Sequence, residues 1–176
     1  MGRDDPPQIP NGKARSRKMP LAAAAVLALT IGGWEGTKET AFRDQLAPGA
    51  PWTVCSGITG PKVIPGKRYS ILECRALEQE HIQRMGERMG RCKPTAELSV
   101  YEWVAWGDFA YNLGEGAWCG STALKLINRG EFRAACDQIP RWKYTDGKDC
   151  SVAANKCGGI IKRRTWQRAT CLKGVE

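Results

Sequence analysis

Two carboxylates and a hydroxyl invite a chemical reading. Glu35 and Asp44 stand nine positions apart with the turn-prone stretch GTKET between them, and Thr53 follows in the β-prone piece WTVCSG. Two acids beside a cleft can cleave a glycosidic bond: one stays protonated and gives its proton to the leaving oxygen, while the other, ionised, handles water or the oxocarbenium charge. Spacing alone is a weak pointer, because the chain holds 18 Asp and Glu residues and Glu39 lies between the pair.

Other chemistries find less support. The eight cysteines, at 55, 74, 92, 119, 136, 150, 157 and 171, contain no CxxC pair to start a zinc ribbon or a thioredoxin-like motif. Their even number, after an export-like segment, suggests up to four disulfides in an oxidising compartment, and the sequence does not choose among the pairings. The single histidine, His81, sits in the polar run LEQEHIQRMGERMG and reads as a solvated surface imidazole. Multi-histidine metal sites are thereby excluded, and a Ser/His/Asp triad would have to use this one residue. No phosphate-cradling glycine loop is present, so neither cofactor nor metal is expected.

A chain of 176 residues fits one domain with a tail. Its 27 Lys and Arg residues give a net charge of +9, which suits an anionic partner. Nucleic acid is not the expected one, because the basic residues are spread along the chain and no recognition motif appears.

The elements that must position the three residues follow from patterning. Residues 1–18 (MGRDDPPQIPNGKARSRK) are rich in Pro, Gly and charge and read as a disordered basic tail that stays cytoplasmic by the positive-inside rule. Met19 to Trp34 carries no charge, yet five of its residues are Ala and it falls short of the roughly 20 apolar residues of a stable transmembrane helix. Residues 37–66 are dense in Gly, Pro and Thr and predict a small irregular sheet. Helices are predicted over SILECRALEQEHIQRMGERMG, over ELSVYEWVAWGDFAYNL closed by Gly114, over STALKLINR opened by Ser121 and closed by Gly130, and over about Gly159 to Leu172.

Four stretches in order, WEGTKETAFRD with WTVCSGITG, GDFAYNLGEGAWCGSTALKLINRGEF, IPRW and GIIKRRTWQRATCL, resemble the glycoside hydrolase family 24 lysozymes of phages. The likeness is to the lambdoid endolysins with a signal-anchor-release segment and covers most of residues 19–173. It implies an α+β lysozyme-like fold, a small sheet lobe beside a larger helical lobe with the cleft between. It also carries the family's Glu, Asp and Thr onto Glu35, Asp44 and Thr53, leaving Glu39 a solvated turn residue. Glu35 would be the general acid, Asp44 would position or deprotonate water, and Thr53 would hold that water in an inverting mechanism. The implied substrate is the β-1,4 bond between N-acetylmuramic acid and N-acetylglucosamine of peptidoglycan.

The chain departs from the family pattern in two places. Asp44 and Thr53 are nine positions apart where about six is usual, LAPGAP supplying a longer turn, and Ile58 stands where a histidine is common. The resemblance further implies that residues 19–34 contact the inner membrane transiently, leave it, and become the first helix of a monomeric periplasmic enzyme spanning residues 35–176. A cysteine-rich wall-binding module without catalysis is the competing reading. Of the seven tryptophans, Trp34, Trp52, Trp118 and Trp142 are candidates for sugar stacking, with core packing the more common use. Arg163 and Arg164 form a basic helix face that is either solvated or turned to substrate carboxylates.

Overall fold

The first helix is built from the uncharged stretch. The computed structural model describes residues 7–45, 49–92 and 94–175, the side chain of Glu35 being outside the described atoms. A short strand, β1 (Arg15–Ser16), precedes α1 (Leu21–Glu35). Ala23, Ala24, Leu27 and Ile31 of α1 recur at helical spacing and are buried. They pack on α2 (Ile71–Arg91) and α3 (Val100–Leu113). Two glycines let α1 and its lead-in come close: a Cβ on Gly107 of α3 would collide with Leu27, and one on Gly86 of α2 would lie 2.9 Å from the Met19 Cβ.

Between α1 and α2 the chain forms the small sheet that its Gly, Pro and Thr content predicts. Strands β2 (Lys38–Arg43), β3 (Trp52–Cys55) and β4 (Ile58–Thr59) are antiparallel in the order β2-β3-β4, with Phe42 opposite Thr53 and Arg43 opposite Trp52. Ala41, Val54, Ile58, Val63 and Tyr69 make a core for this lobe, separate from the larger helical one. A disulfide, Cys55–Cys74, ties β3 to α2.

The helical lobe is organised around α3, entered through β5 (Leu98–Ser99). Ser99 and Glu102 form a capping box at its start, and Gly114, at φ 87°, ends it in a conformation that side chains resist. Eleven of its 14 residues are buried, Trp103, Trp106 and Phe109 among them, so α3 is a core helix with neighbours all round. Around it lie α4 (Glu115–Cys119), α5 (Thr122–Asn128, capped by Ser121), α6 (Phe132–Cys136) and α7 (Gly158–Lys173). A hairpin of β6 (Tyr144–Thr145) and β7 (Lys148–Asp149) precedes α7. The short helices α4 and α6 carry too few residues for a periodic pattern and escaped the sequence reading.

All eight cysteines are paired: besides Cys55–Cys74, the bridges are Cys92–Cys119, Cys136–Cys171 and Cys150–Cys157. The fold is α+β, a small sheet lobe beside a helical majority, as the resemblance implied.

Residues 9–16, expected to be disordered, lie instead against the start of α3. The first amides of a helix lack partners inside it. Ala14 and Gly12 supply them, their carbonyls accepting from the Val100 and Tyr101 N–H groups at 3.1 Å each. A segment with little apolar content is thus ordered by backbone pairing that its composition does not reveal.

Candidate active site

A cleft of about 600 Å³ separates the sheet from the helices. On the sheet side it is lined by Lys38 and Phe42 of β2, by Asp44 just beyond that strand, and by Thr53 of β3. The opposite wall is formed by His81, Met85 and Arg88 of α2 with Tyr111 and Asn112 of α3.

The hairpin explains how Asp44 and Thr53 share a wall despite their longer separation in sequence. The Asp44 N–H donates to the Pro51 carbonyl at 3.0 Å, closing β2 onto β3 two residues before Thr53. The turn between them includes residues 46–48, which lie outside the described residues; the pairing of β2 with β3 shifts register between Lys38 and Phe42, and beyond that shift Phe42 faces Thr53 and Arg43 faces Trp52. Thr53 is only 3% exposed, and its Oγ1 makes a long contact of 3.4 Å to the Pro51 carbonyl.

Glu35 is the last residue of α1, three positions before the cleft-lining Lys38, and Gly36 turns the chain out of the helix at φ 72°. Its neighbour Trp34 fixes that helix end, standing edge-on against Trp166 of α7 with the Arg163 guanidinium carbon 5.8 Å from its ring centre. Arg163 is itself held by Asp108 of α3 through two hydrogen bonds of 2.8 and 3.0 Å, and Gln167 donates to the same carboxylate at 2.6 Å.

Neither arginine of the RR pair has the environment expected of it. Both are buried. Arg164 donates to the Trp142 carbonyl, to Gln167 and, at 2.6 Å, to Asn112 on the cleft wall. Burial, and then the Arg163 charge, lower its pKa to about 10. The pair is a brace behind the site rather than a surface facing solvent or substrate. Sequence reasoning missed Asp108 and Gln167 as its partners. The available signal was an acid inside the otherwise apolar run VYEWVAWGDFAYNL, since a buried charge requires a partner.

His81 is likewise not a surface group. It is half-buried on the cleft wall, edge-on to Tyr111 with ring centres 5.7 Å apart, and the Tyr111 hydroxyl donates to the Ser56 carbonyl, joining helical lobe to sheet lobe. Burial, followed by the charge of Arg88, pushes its pKa below the ordinary value. Its spacing from Met85 and Arg88, four and seven positions on, marks a single helix stripe and was the signal available in the sequence. Arg88 is paired with Glu115 at 2.6 Å, which holds its proton more firmly still.

No tryptophan lines this cleft among the described residues. Trp118 is fully buried, Trp142 packs edge-on against Phe109, and Trp52 lies under Arg43, so the aromatic groups on the cleft are Phe42 and Tyr111. Among the described residues no group of three or more His, Cys, Asp or Glu side chains is arranged to hold a metal ion.

Residues 32–167 match the family of phage lysozymes. The chain is 33% identical over 158 residues to the SAR-endolysin of bacteriophage PS119, covering 89% of each chain. Among solved structures it resembles a mutant of P22 lysozyme, at a TM-score of 0.68 and 23% identity over 84% of this chain and 95% of that one. It also resembles the active form of the P1 phage endolysin Lyz, at a TM-score of 0.63 and 22% identity over 92% of this chain and 88% of that one. These likenesses leave the reading as a non-catalytic wall-binding module without support, and the chain belongs to the phage lysozyme family.

Proposed function

We propose that this lysozyme is an endolysin that hydrolyses the β-1,4 bond between N-acetylmuramic acid and N-acetylglucosamine in peptidoglycan, with Glu35, Asp44 and Thr53 as its catalytic residues. The observation that carries the assignment is that Asp44 and Thr53 line one wall of the interlobe cleft, at the end of a hairpin whose first strand starts three positions after Glu35. Glu35 protonates the leaving glycosidic oxygen. Asp44 orients the attacking water and takes its proton, and the Thr53 hydroxyl holds that water against the far face of the sugar, so the anomeric centre inverts. A net charge of +9 draws the enzyme to a polymer bearing carboxylates. Reducing-end release from purified peptidoglycan is expected for the wild type and absent for Glu35→Gln. A fully active Glu35→Gln would overturn the assignment.

The same reading gives residues 19–34 two successive environments: the host inner membrane with the N-terminus cytoplasmic, then the folded enzyme released to the periplasm. The supporting observation is a mismatch within α1. The stretch is uncharged all round, as a membrane helix must be, yet only one face is buried; Leu21 and Leu29 remain 68% and 66% exposed. No helix among the described residues is long and apolar enough to cross a membrane. The relatives named SAR-endolysins point the same way.

A further inference from the structure

We propose that residues 9–16 are a latch that closes only in the released enzyme and helps draw α1 out of the bilayer. The latch rests on the two-environment reading of residues 19–34 and adds to it a part for the basic tail.

The contacts are numerous and specific. Besides the two carbonyls that cap α3, β1 pairs antiparallel with β5, Arg15 opposite Ser99 and Ser16 opposite Leu98. The Ile9 side chain is buried in the helical core, and its N–H donates to the Tyr101 hydroxyl. Trp103, at the centre of that core, donates its indole N–H to the Ser16 carbonyl at 3.1 Å. Gly12 lies so close to the Tyr101 ring that a Cβ there would collide with it.

Arg15 is the key of the latch. Its guanidinium sits 3.2 Å from Glu102, whose side chain is 1% exposed, donates to the Glu97 carbonyl at 2.6 Å, and lies 4.3 Å from the centre of the Phe132 ring. Burial raises the Glu102 pKa, and the Arg15 charge opposes that rise. A carboxylate this deep needs a charged partner, and the partly exposed Arg15 guanidinium supplies one.

Topology makes the latch conditional. While residues 19–34 lie in the membrane, Arg15 is on the cytoplasmic side and Glu102 on the other, and none of these contacts can form. They exist only once the tail has followed α1 through the bilayer. Whatever they contribute therefore favours the released state alone and shifts the membrane-to-soluble ratio.

The test uses the full chain with Gly12→Val, which evicts the segment and spares Arg15, and separately with Arg15→Met, which keeps the backbone path and removes the charge. In purified soluble protein, tryptic cleavage after Lys13 is expected to be slow in the wild type and at least about tenfold faster in both variants. Their hydrolysis of isolated peptidoglycan at low temperature should stay within about twofold of wild type. In expressing cells, both variants should shift the membrane-to-soluble ratio toward the membrane by roughly tenfold and delay lysis. Rapid cleavage after Lys13 in the wild type would overturn the latch, as would unchanged partition in a variant whose tail has become protease-sensitive. A wild type never found in the membrane fraction would instead sink the two-environment reading on which the latch depends, and the latch with it.

Discussion

Trp34 and Trp166 meet edge to face, ring centroids 6.1 Å apart and planes at 74°, so the end of the first helix is fixed by the last helix in the chain. Because Glu35 follows Trp34 directly, this contact sets where the acid's backbone emerges. Trp166→Ala is expected to lower kcat on peptidoglycan by roughly 10- to 100-fold while leaving KM close to wild type, since a small misplacement of a reacting group is enough for such a loss. Turnover kinetics beside a far-ultraviolet spectrum check it; an intact fold with unaltered kcat would show that the contact does not position Glu35.

Asp44→Asn should nearly abolish hydrolysis, and Thr53→Ala should lower it by about 10- to 100-fold with the fold intact. In the proposed mechanism both residues act on the water rather than on the leaving group, so the single-turnover product of the Thr53 variant should still be inverted. Proton NMR of the first-formed anomer reads this directly, and a retained anomer would contradict the assigned roles.

The brace behind the site carries its own expectation. Arg163 and Asp108 are almost fully buried, with side chains 7% and 0% exposed. Arg163→Met leaves the Asp108 carboxylate without its charged partner and should destabilise the protein by about 3–5 kcal/mol, whereas Arg163→Met combined with Asp108→Leu should recover most of that loss. Denaturant unfolding of the disulfide-intact forms measures both; equal losses in the single and double variants would mean that the pair is not the source.

His81 gives a pH dependence whose sign follows from its lowered pKa. The unfolded chain, with the ordinary value of 6.5, takes up a proton more readily than the folded enzyme does. Its contribution to stability is therefore complete above about pH 6.5 and is lost as pH falls toward the folded pKa. Arg84 and Arg88 oppose the imidazolium, and Glu115 favours it. Thermal midpoints of wild type and His81→Gln should diverge at neutral pH and converge in mild acid; parallel curves would show that His81 is no part of the pH response.

The exposed face of α1 allows the membrane reading to be tested without disturbing the released fold. Ala22, Ala25 and Gly33 are exposed, and a side chain on Gly33 would meet nothing within 4 Å. Leucine at all three adds apolar area to the embedded state at about 0.8 kcal/mol per buried CH₂, which amounts to several kcal/mol. The variant is expected in the inner-membrane fraction, with lysis delayed or absent. A variant that reaches the soluble periplasm and lyses on schedule would show the stretch to be an ordinary export signal.

Much of the fold was legible because it rests on local rules. The alternation of α2, the apolar run of α3 closed by Gly114, the Ser121 cap of α5 and the small sheet after Glu35 all follow from periodicity, caps and turn residues within a few positions of one another. The three candidate catalytic residues were legible only through family likeness, since their spacing is common among 18 acids. The rest needed the folded chain. Which cysteines join in every bridge but Cys150–Cys157, why Arg163 and Arg164 turn inward to Asp108 and Asn112, why His81 faces the cleft, and why a Pro- and Gly-rich tail lies on α3 are each settled by groups far away in sequence. A buried charge or an orphan helix amide creates a demand for a partner that any distant segment can meet, and only the path of the backbone in space determines which one does.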